Sequence, residues 1–213
     1  MRFKIPLIVA LLLGLLIWLA FFWQPTGSET APTYRSGSAH PTAAPPVGGD
    51  FTLNSPDGKL SLHDYRGKVV LIYFGYTFCP DVCPTSLAAM AEAFSMLSPE
   101  ELARVRGLLV SVDPERDTQE VLKVYAPFFH PAIVGVTGTP SEVAEVARRY
   151  GVSYAKQKAE EGRPYAVDHS AFTYLVGPDG TLKDILPHDT SAKEIAARIR
   201  QAIDTAPTLP EKP

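Results

Sequence analysis

The chain has 213 residues, 46% of them hydrophobic and 20% charged, with a formal net charge of −3. That composition is globular, and with no basic stripe or block it gives nucleic-acid binding no electrostatic support. The first 23 residues, "MRFKIPLIVALLLGLLIWLAFFW", hold an uncharged run from Ile5 to Trp23. As a helix this run spans roughly 28 Å, close to the thickness of a bilayer core. Pro6 falls in the first turn, where a missing N–H costs little, and Arg2 and Lys4 hold the short end in the cytoplasm. A cleaved signal peptide would need a shorter apolar core and a small-x-small site, whereas this run ends in bulky aromatics suited to a membrane–water interface. Residues 1–23 are therefore read as an uncleaved single-pass anchor in the cell membrane, with the rest of the chain on the extracytoplasmic, periplasmic-side face. Residues 24–49, rich in Pro, Gly, Ser, Thr and Ala, bury almost nothing and read as a disordered tether with a reach of roughly 28 Å.

A single domain is expected over 50–204, followed by a loose tail at 205–213. "FTLNSPDGKLSL" reads as two short strands about a Pro-Asp-Gly turn, and "KVVLIYFG" (68–75) as a strand buried on both faces. The segment "PTSLAAMAEAFSML" has helical spacing, and "RGLLVSVD" (106–113) is a second buried strand. "DTQEVLKVYAPFF" is a helix capped by Asp117 or Thr118. "IVGVTG" is a short strand, and "TPSEVAEVARRYG" a helix with Ser141 near its start and Gly151 beyond its end. A short strand and polar loop lead to "HSAFTYLVGPDGTLKDIL", a hairpin about Gly177–Gly180, and "TSAKEIAARIRQAID" closes the domain as an amphipathic helix. This order predicts an α/β thioredoxin-like fold with an N-terminal β-hairpin and insertions, preceded by one transmembrane helix.

Both cysteines of the chain lie in "FGYTFCPDVCPTS". Cys79 and Cys83 each precede a proline, which pushes both out of helical geometry; Pro84 suits the first helical position and makes Cys83 the N-cap or nearly so. The segment is a tight loop between a buried strand and a helix N-terminus, at the carboxyl end of the sheet where open α/β folds place their sites. The helix end favours anions, so at least one thiol should have a lowered pKa. A disulfide here would close a ring of only five residues and stabilise weakly. A working dithiol, in redox chemistry, metal binding or both, is the stronger reading.

Among the five histidines, His40, His63, His130 and His188 have ordinary explanations in tether, loop or helix end. His169 opens the apolar strand expected to run antiparallel to the strand that carries the cysteine loop, so its start should lie beside Cys79 and Cys83. Two thiolates and an imidazole suit Cu(I), or Cu(II) with a weak further ligand. Zinc would want a fourth strong ligand, which only Asp168 or Asp81 offers.

"YFGYTFCPDVCPTSL", "VSVDPERDT" and "DHSAFTYLVGPDG" together resemble the SCO/SenC family, the membrane-anchored copper chaperones of cytochrome c oxidase assembly. The resemblance covers residues 50–204 and implies Cys79, Cys83 and His169 as copper ligands. It further implies transfer of copper to the copper A centre of oxidase subunit II, or reduction of that centre's disulfide, with another copper donor protein upstream. Three aspartates carry two readings each. Asp113 faces the site or a partner, or is a turn residue before Pro114. Asp168 orients His169, or is loop. Asp81 tunes the thiols or contacts a partner, or is a solvated turn residue. Tyr76 and Phe78 are expected to shield the loop. The leading function is metal binding and transfer rather than enzymatic catalysis. A thiol-disulfide oxidoreductase is the alternative, although the CxxC spacing of thioredoxins is missing and dithiol exchange needs no imidazole. A peroxiredoxin-like peroxidase fails, because its pattern would require Pro at Ile72 and Thr at Tyr76.

Overall fold

A computed structural model of the chain describes residues 12–15, 18, 46–159 and 164–205. Most of the expected anchor and tether, and the tail beyond 205, lie outside them. Among the described residues no helix is long and apolar enough to cross a membrane.

The domain opens with the hairpin β1 (Thr52–Ser55) and β2 (Gly58–Ser61), pinned to the body by paired bonds between Asn54 and Thr137. Strand β3 (Val69–Gly75) is buried at every residue, as its unbroken apolar run requires. Helix α1 (Val82–Ser95), the short α2 (Pro99–Ala103) and strand β4 (Val105–Ser111) follow, then α3 (Gln119–Phe129) and β5 (Ile133–Val136). Helix α4 (Pro140–Arg149), the small strands β6 (Tyr154–Lys156) and β7 (Val167–His169), the hairpin β8 (Thr173–Val176) and β9 (Leu182–Leu186), and helix α5 (Ala192–Asp204) complete it. The main sheet has the order β5-β4-β3-β8-β9. Strands β3, β4 and β5 are parallel, while β8 runs antiparallel to β3, Tyr73 opposite Thr173.

Handedness then distributes the helices. Two right-handed crossovers stepping the same way put α1 and α3 on one face. There Tyr73, Leu109 and Gly135 align across the register, and a Cβ on Gly135 would strike Leu122 of α3. Helix α5 packs against α1. The return crossover carries α4 to the opposite face, where Tyr150 meets Phe74 and Tyr174 at ring separations of 5.6 Å.

Two local expectations are corrected and one is refined. First, the helix after the cysteine loop begins at Val82, so Cys83 is helical and Pro84 is its third residue. The first-turn N–H groups have no intrahelical acceptor, so proline loses nothing there. Second, Ser141 lies near the start of α4 as expected, with Thr139 as its cap, and of the two candidates at the start of α3 Thr118 is the cap. Third, residues 46–49 pack on the domain. The N–H groups of Val47 and Gly48 donate to the Arg149 carbonyl at 3.1 Å, Gly49 accepts from the Tyr150 hydroxyl, and a Cβ on Gly151 would lie 3.2 Å from Pro46. Gly151, at φ 67°, follows the last turn of α4, the left-handed stop that glycine allows.

Candidate metal centre

The two thiols come together because a strand ends where a helix begins. Past Gly75 the chain turns through Thr77 and Phe78, and the Cys79 N–H donates to the Tyr76 carbonyl. Asp81 has no side-chain capping bond and is exposed; its carbonyl accepts from Thr85. The free first-turn N–H of Cys83 donates to Cys79 Sγ at 3.4 Å. Gly75 makes room for this arrangement: a Cβ there would lie 2.9 Å from Cys83 Sγ and 2.8 Å from Tyr73 Cε1.

His169 arrives by a route the sequence reading did not foresee. It does not open the sheet strand, which starts at Thr173. It ends β7, paired with β6 in a separate two-stranded sheet, Tyr154 opposite His169. The destination is nevertheless the expected one. His169 Nε2 lies 3.2 Å from Cys83 Sγ, and the ligand atoms of Cys79, Cys83 and His169 all fall within 4.8 Å of one another. His169 Nδ1 is 3.2 Å from the Ser170 carbonyl, so Nε2 is the ring nitrogen that faces the sulfurs. Tyr73 and Tyr76 stand edge-on to the imidazole, at 6.1 and 5.9 Å.

The sulfurs are electronically unequal. The bond from Cys83, then His169 and the backbone N–H groups of Asp81 and Cys83, hold Cys79 down at about 3, against burial. Cys83 is pushed far up, first by sharing its proton with Cys79 and then by burial. The pair thus holds one thiolate and one thiol. Exposure follows the same division, Cys79 being 8% exposed and Cys83 fully buried.

The aspartates sit elsewhere. Asp168 accepts from Gln157 at 2.7 Å, so the ring's partner is the Ser170 carbonyl instead. Asp113 is wholly buried, ion-paired with Arg116 and accepting from the Tyr165 hydroxyl at 2.7 Å. Asp117, read only as a cap, is also buried; it accepts from the Thr77 N–H and hydroxyl and from Ser111. Tyr76 is buried and does shield the loop, whereas Phe78 is 56% exposed and borders a shallow groove with Val121, Val124, Tyr125 and Phe128. His188 bonds Ser86 at 2.8 Å, and His130 accepts from the Ala132 N–H. Arg116 and Tyr165 were missed altogether, since a turn rich in charge and a polar loop give no periodic signal.

A soft three-donor pocket at the end of a thioredoxin-like sheet calls for comparison with known proteins, and the SCO1/SenC family model matches residues 39–204. The chain belongs to the SCO1/SenC family. It is 43% identical over 157 residues to human "Protein SCO1 homolog, mitochondrial", covering 73% of this chain and 52% of that protein. It is 39% identical to a SCO2-like protein of Rickettsia felis, covering 70% and 73%. Against the mitochondrial SCO1 and SCO2 proteins of human, cow and mouse it spans 52 to 62% of their length. Among solved structures, Arabidopsis thaliana ScoI with copper bound superposes with a TM-score of 0.69 at 34% identity, over 75% of this chain and 99% of that one. Apo Sco1 of Thermus thermophilus gives 0.67 at 39%, over 75% and 94%. BsSco, described with a disulfide switch as a member of the Sco family of cytochrome c oxidase assembly proteins, gives 0.59 at 29%, over 78% and 99%. The α/β thioredoxin-like Sco fold is thereby shared.

Proposed function

We propose that this chain is a membrane-anchored, extracytoplasmic copper carrier. It binds one copper ion through Cys79 Sγ, Cys83 Sγ and His169 Nε2 and passes it to the copper A centre of cytochrome c oxidase subunit II. The observation that carries the reading is the convergence of two sulfurs and one imidazole nitrogen within 4.8 Å, a set that suits Cu(I). Copper is cargo here. An acceptor's thiolates displace Cys79, His169 and Cys83 in turn, with no change of oxidation state required. Family membership, the copper-bound ScoI of Arabidopsis and the oxidase-assembly role given for BsSco support the choice of metal and the link to oxidase assembly.

A second reading rests on the inequality of the sulfurs. A thiolate at Cys79, with Cys83 beside it, can attack a disulfide and then be resolved by Cys83, so that the acceptor's disulfide is reduced to two thiols and this pair is oxidised. Mixing the copper-loaded chain with a reduced apo copper A domain, and the copper-free reduced chain with a thiol-oxidised one, separates the two. Copper transfer without disulfide formation in this chain supports carriage, and thiol oxidation without metal movement supports reduction. Failure of the reduced chain to bind one equivalent of Cu(I) would remove the first reading.

A further inference from the structure

We infer that Arg116 is a positioning residue for the metal centre, holding the His169-bearing strand in register with the cysteine loop. The inference rests on the copper site proposed above. Strand β7 lies outside the five-stranded sheet, so no backbone ladder sets its place relative to the sulfurs. Side chains must do so. Among the described residues, the hydrogen bonds and ion pairs that tie 154–169 to the rest of the domain run to Tyr76, Asp113, Glu115, Arg116 and Cys83.

Arg116 stands at the centre of this set. Its Nε donates to buried Asp113, and Nη1 donates to the Tyr165 carbonyl at 2.8 Å. The Tyr165 hydroxyl closes the ring onto the other Asp113 oxygen at 2.7 Å. The guanidinium carbon lies 3.7 Å from the centre of the Tyr165 ring, 4.8 Å from that of Phe78 and 5.5 Å from that of Tyr76. One side of this stack is the residue next to Cys79. The other is the segment that leads through Val167, whose N–H donates to the Tyr76 hydroxyl at 3.2 Å, to His169. A planar cation that stacks and bonds at once suits this bridge, and lysine does not replace it. Nη2 is buried with no partner among the described residues. An unpaired buried donor lowers stability, so stability alone does not account for the guanidinium.

The test measures Cu(I) affinity of the reduced full chain, in detergent, by competition with a chromophoric Cu(I) chelator. It compares the parent, His169→Ala, Arg116→Met and the double variant. His169→Ala and Arg116→Met are each expected to weaken binding about tenfold or more, the scale of lost support around a ligand. Arg116 acts through His169, so the double variant should bind no more weakly than His169→Ala alone. The absorption spectrum of the Cu(II)-loaded Arg116→Met chain should also move toward that of His169→Ala. Parental affinity in Arg116→Met with a weakened His169→Ala overturns the positioning role and leaves the copper site standing, and additive losses overturn it equally. Parental affinity in His169→Ala removes the site itself and this inference with it. Should Arg116→Met fail to fold, Tyr165→Phe, which deletes only the bond to Asp113, carries the same test. It is expected to weaken binding severalfold, but not in the His169→Ala background, and parental affinity overturns the role.

Discussion

Asp117 offers a sharp test of how the cysteine loop is held. Its buried carboxylate accepts from the Thr77 N–H at 2.9 Å, the Thr77 hydroxyl at 2.6 Å and the Ser111 hydroxyl at 2.7 Å, and Thr77 lies two residues ahead of Cys79. Each bond contributes about 1 kcal/mol or more, and Asp117→Ala leaves the Thr77 N–H without its acceptor, while release of a buried carboxylate offsets part of the loss. The expected destabilisation is about 2–4 kcal/mol, or roughly 5–15 °C in Tm for a domain of this size. Asp117→Asn keeps one oxygen for the N–H and turns its NH2 to the Thr77 hydroxyl, so it should cost under about 1 kcal/mol. Thermal unfolding followed by circular dichroism reads both. A chain with Asp117→Ala within about 0.5 kcal/mol of the parent, or an asparagine variant as damaged as the alanine one, would refute the reasoning. The pH dependence has a definite sign. Burial raises the Asp117 pKa, so the folded chain favours its protonated form. The cost of the ionised form is absent below the unfolded-state pKa and is felt in full as pH rises through the folded one. The parent should therefore lose ground to Asp117→Asn as pH rises from strongly acidic toward neutral.

Gly75→Ala places a methyl where Cys83 Sγ and Tyr73 sit; it should cost about 1–3 kcal/mol in unfolding and weaken Cu(I) binding, and parental copper affinity would show that Cys83 yields freely. Because Cys79 already carries its charge and Cys83 its proton, loading Cu(I) near pH 7 should release about one proton per ion, not two; indicator titration in weak buffer decides it. Removing residues 1–45 should leave Tm nearly unchanged. Removal of 1–49 deletes the donors to the Arg149 carbonyl and the acceptor of the Tyr150 hydroxyl, and should lower Tm by several degrees; equal Tm values would return the domain start to Asp50.

Much of the fold was legible because its signals are local. Continuous apolar runs marked β3 and β4, a serine near the start and a glycine beyond the end marked α4, and the antiparallel return of β8 followed from topology. The thiol pair was legible for the same reason, two cysteines bracketed by prolines between a strand and a helix. His169 was reached by a correct neighbourhood and an incorrect element. "HSAFTYLV" reads as one strand, yet the chain leaves the sheet between His169 and Thr173, where short-range pattern has no vote. The Asp113–Arg116–Tyr165 cluster was illegible, because the side chains that complete it stand 49 and 52 residues apart. In "SVDPERDT" a buried acid and a solvated one look alike. Asp117 shows the same limit: as a letter it is a helix cap, and only the fold reveals it as the floor beneath Thr77.

The burial gradient across the two sulfurs imposes a direction on any traffic through the pocket. Cys83, in the first turn of α1 and close against Gly75, is fully buried, while of the two sulfurs only Cys79 retains a sliver of solvent contact. An alkylating reagent, a chelator or an incoming protein thiol thus meets the outer sulfur before the inner one, with the part-exposed imidazole beside it. Whatever the pocket grips must be loosened first at its outer sulfur and surrendered last by its inner one.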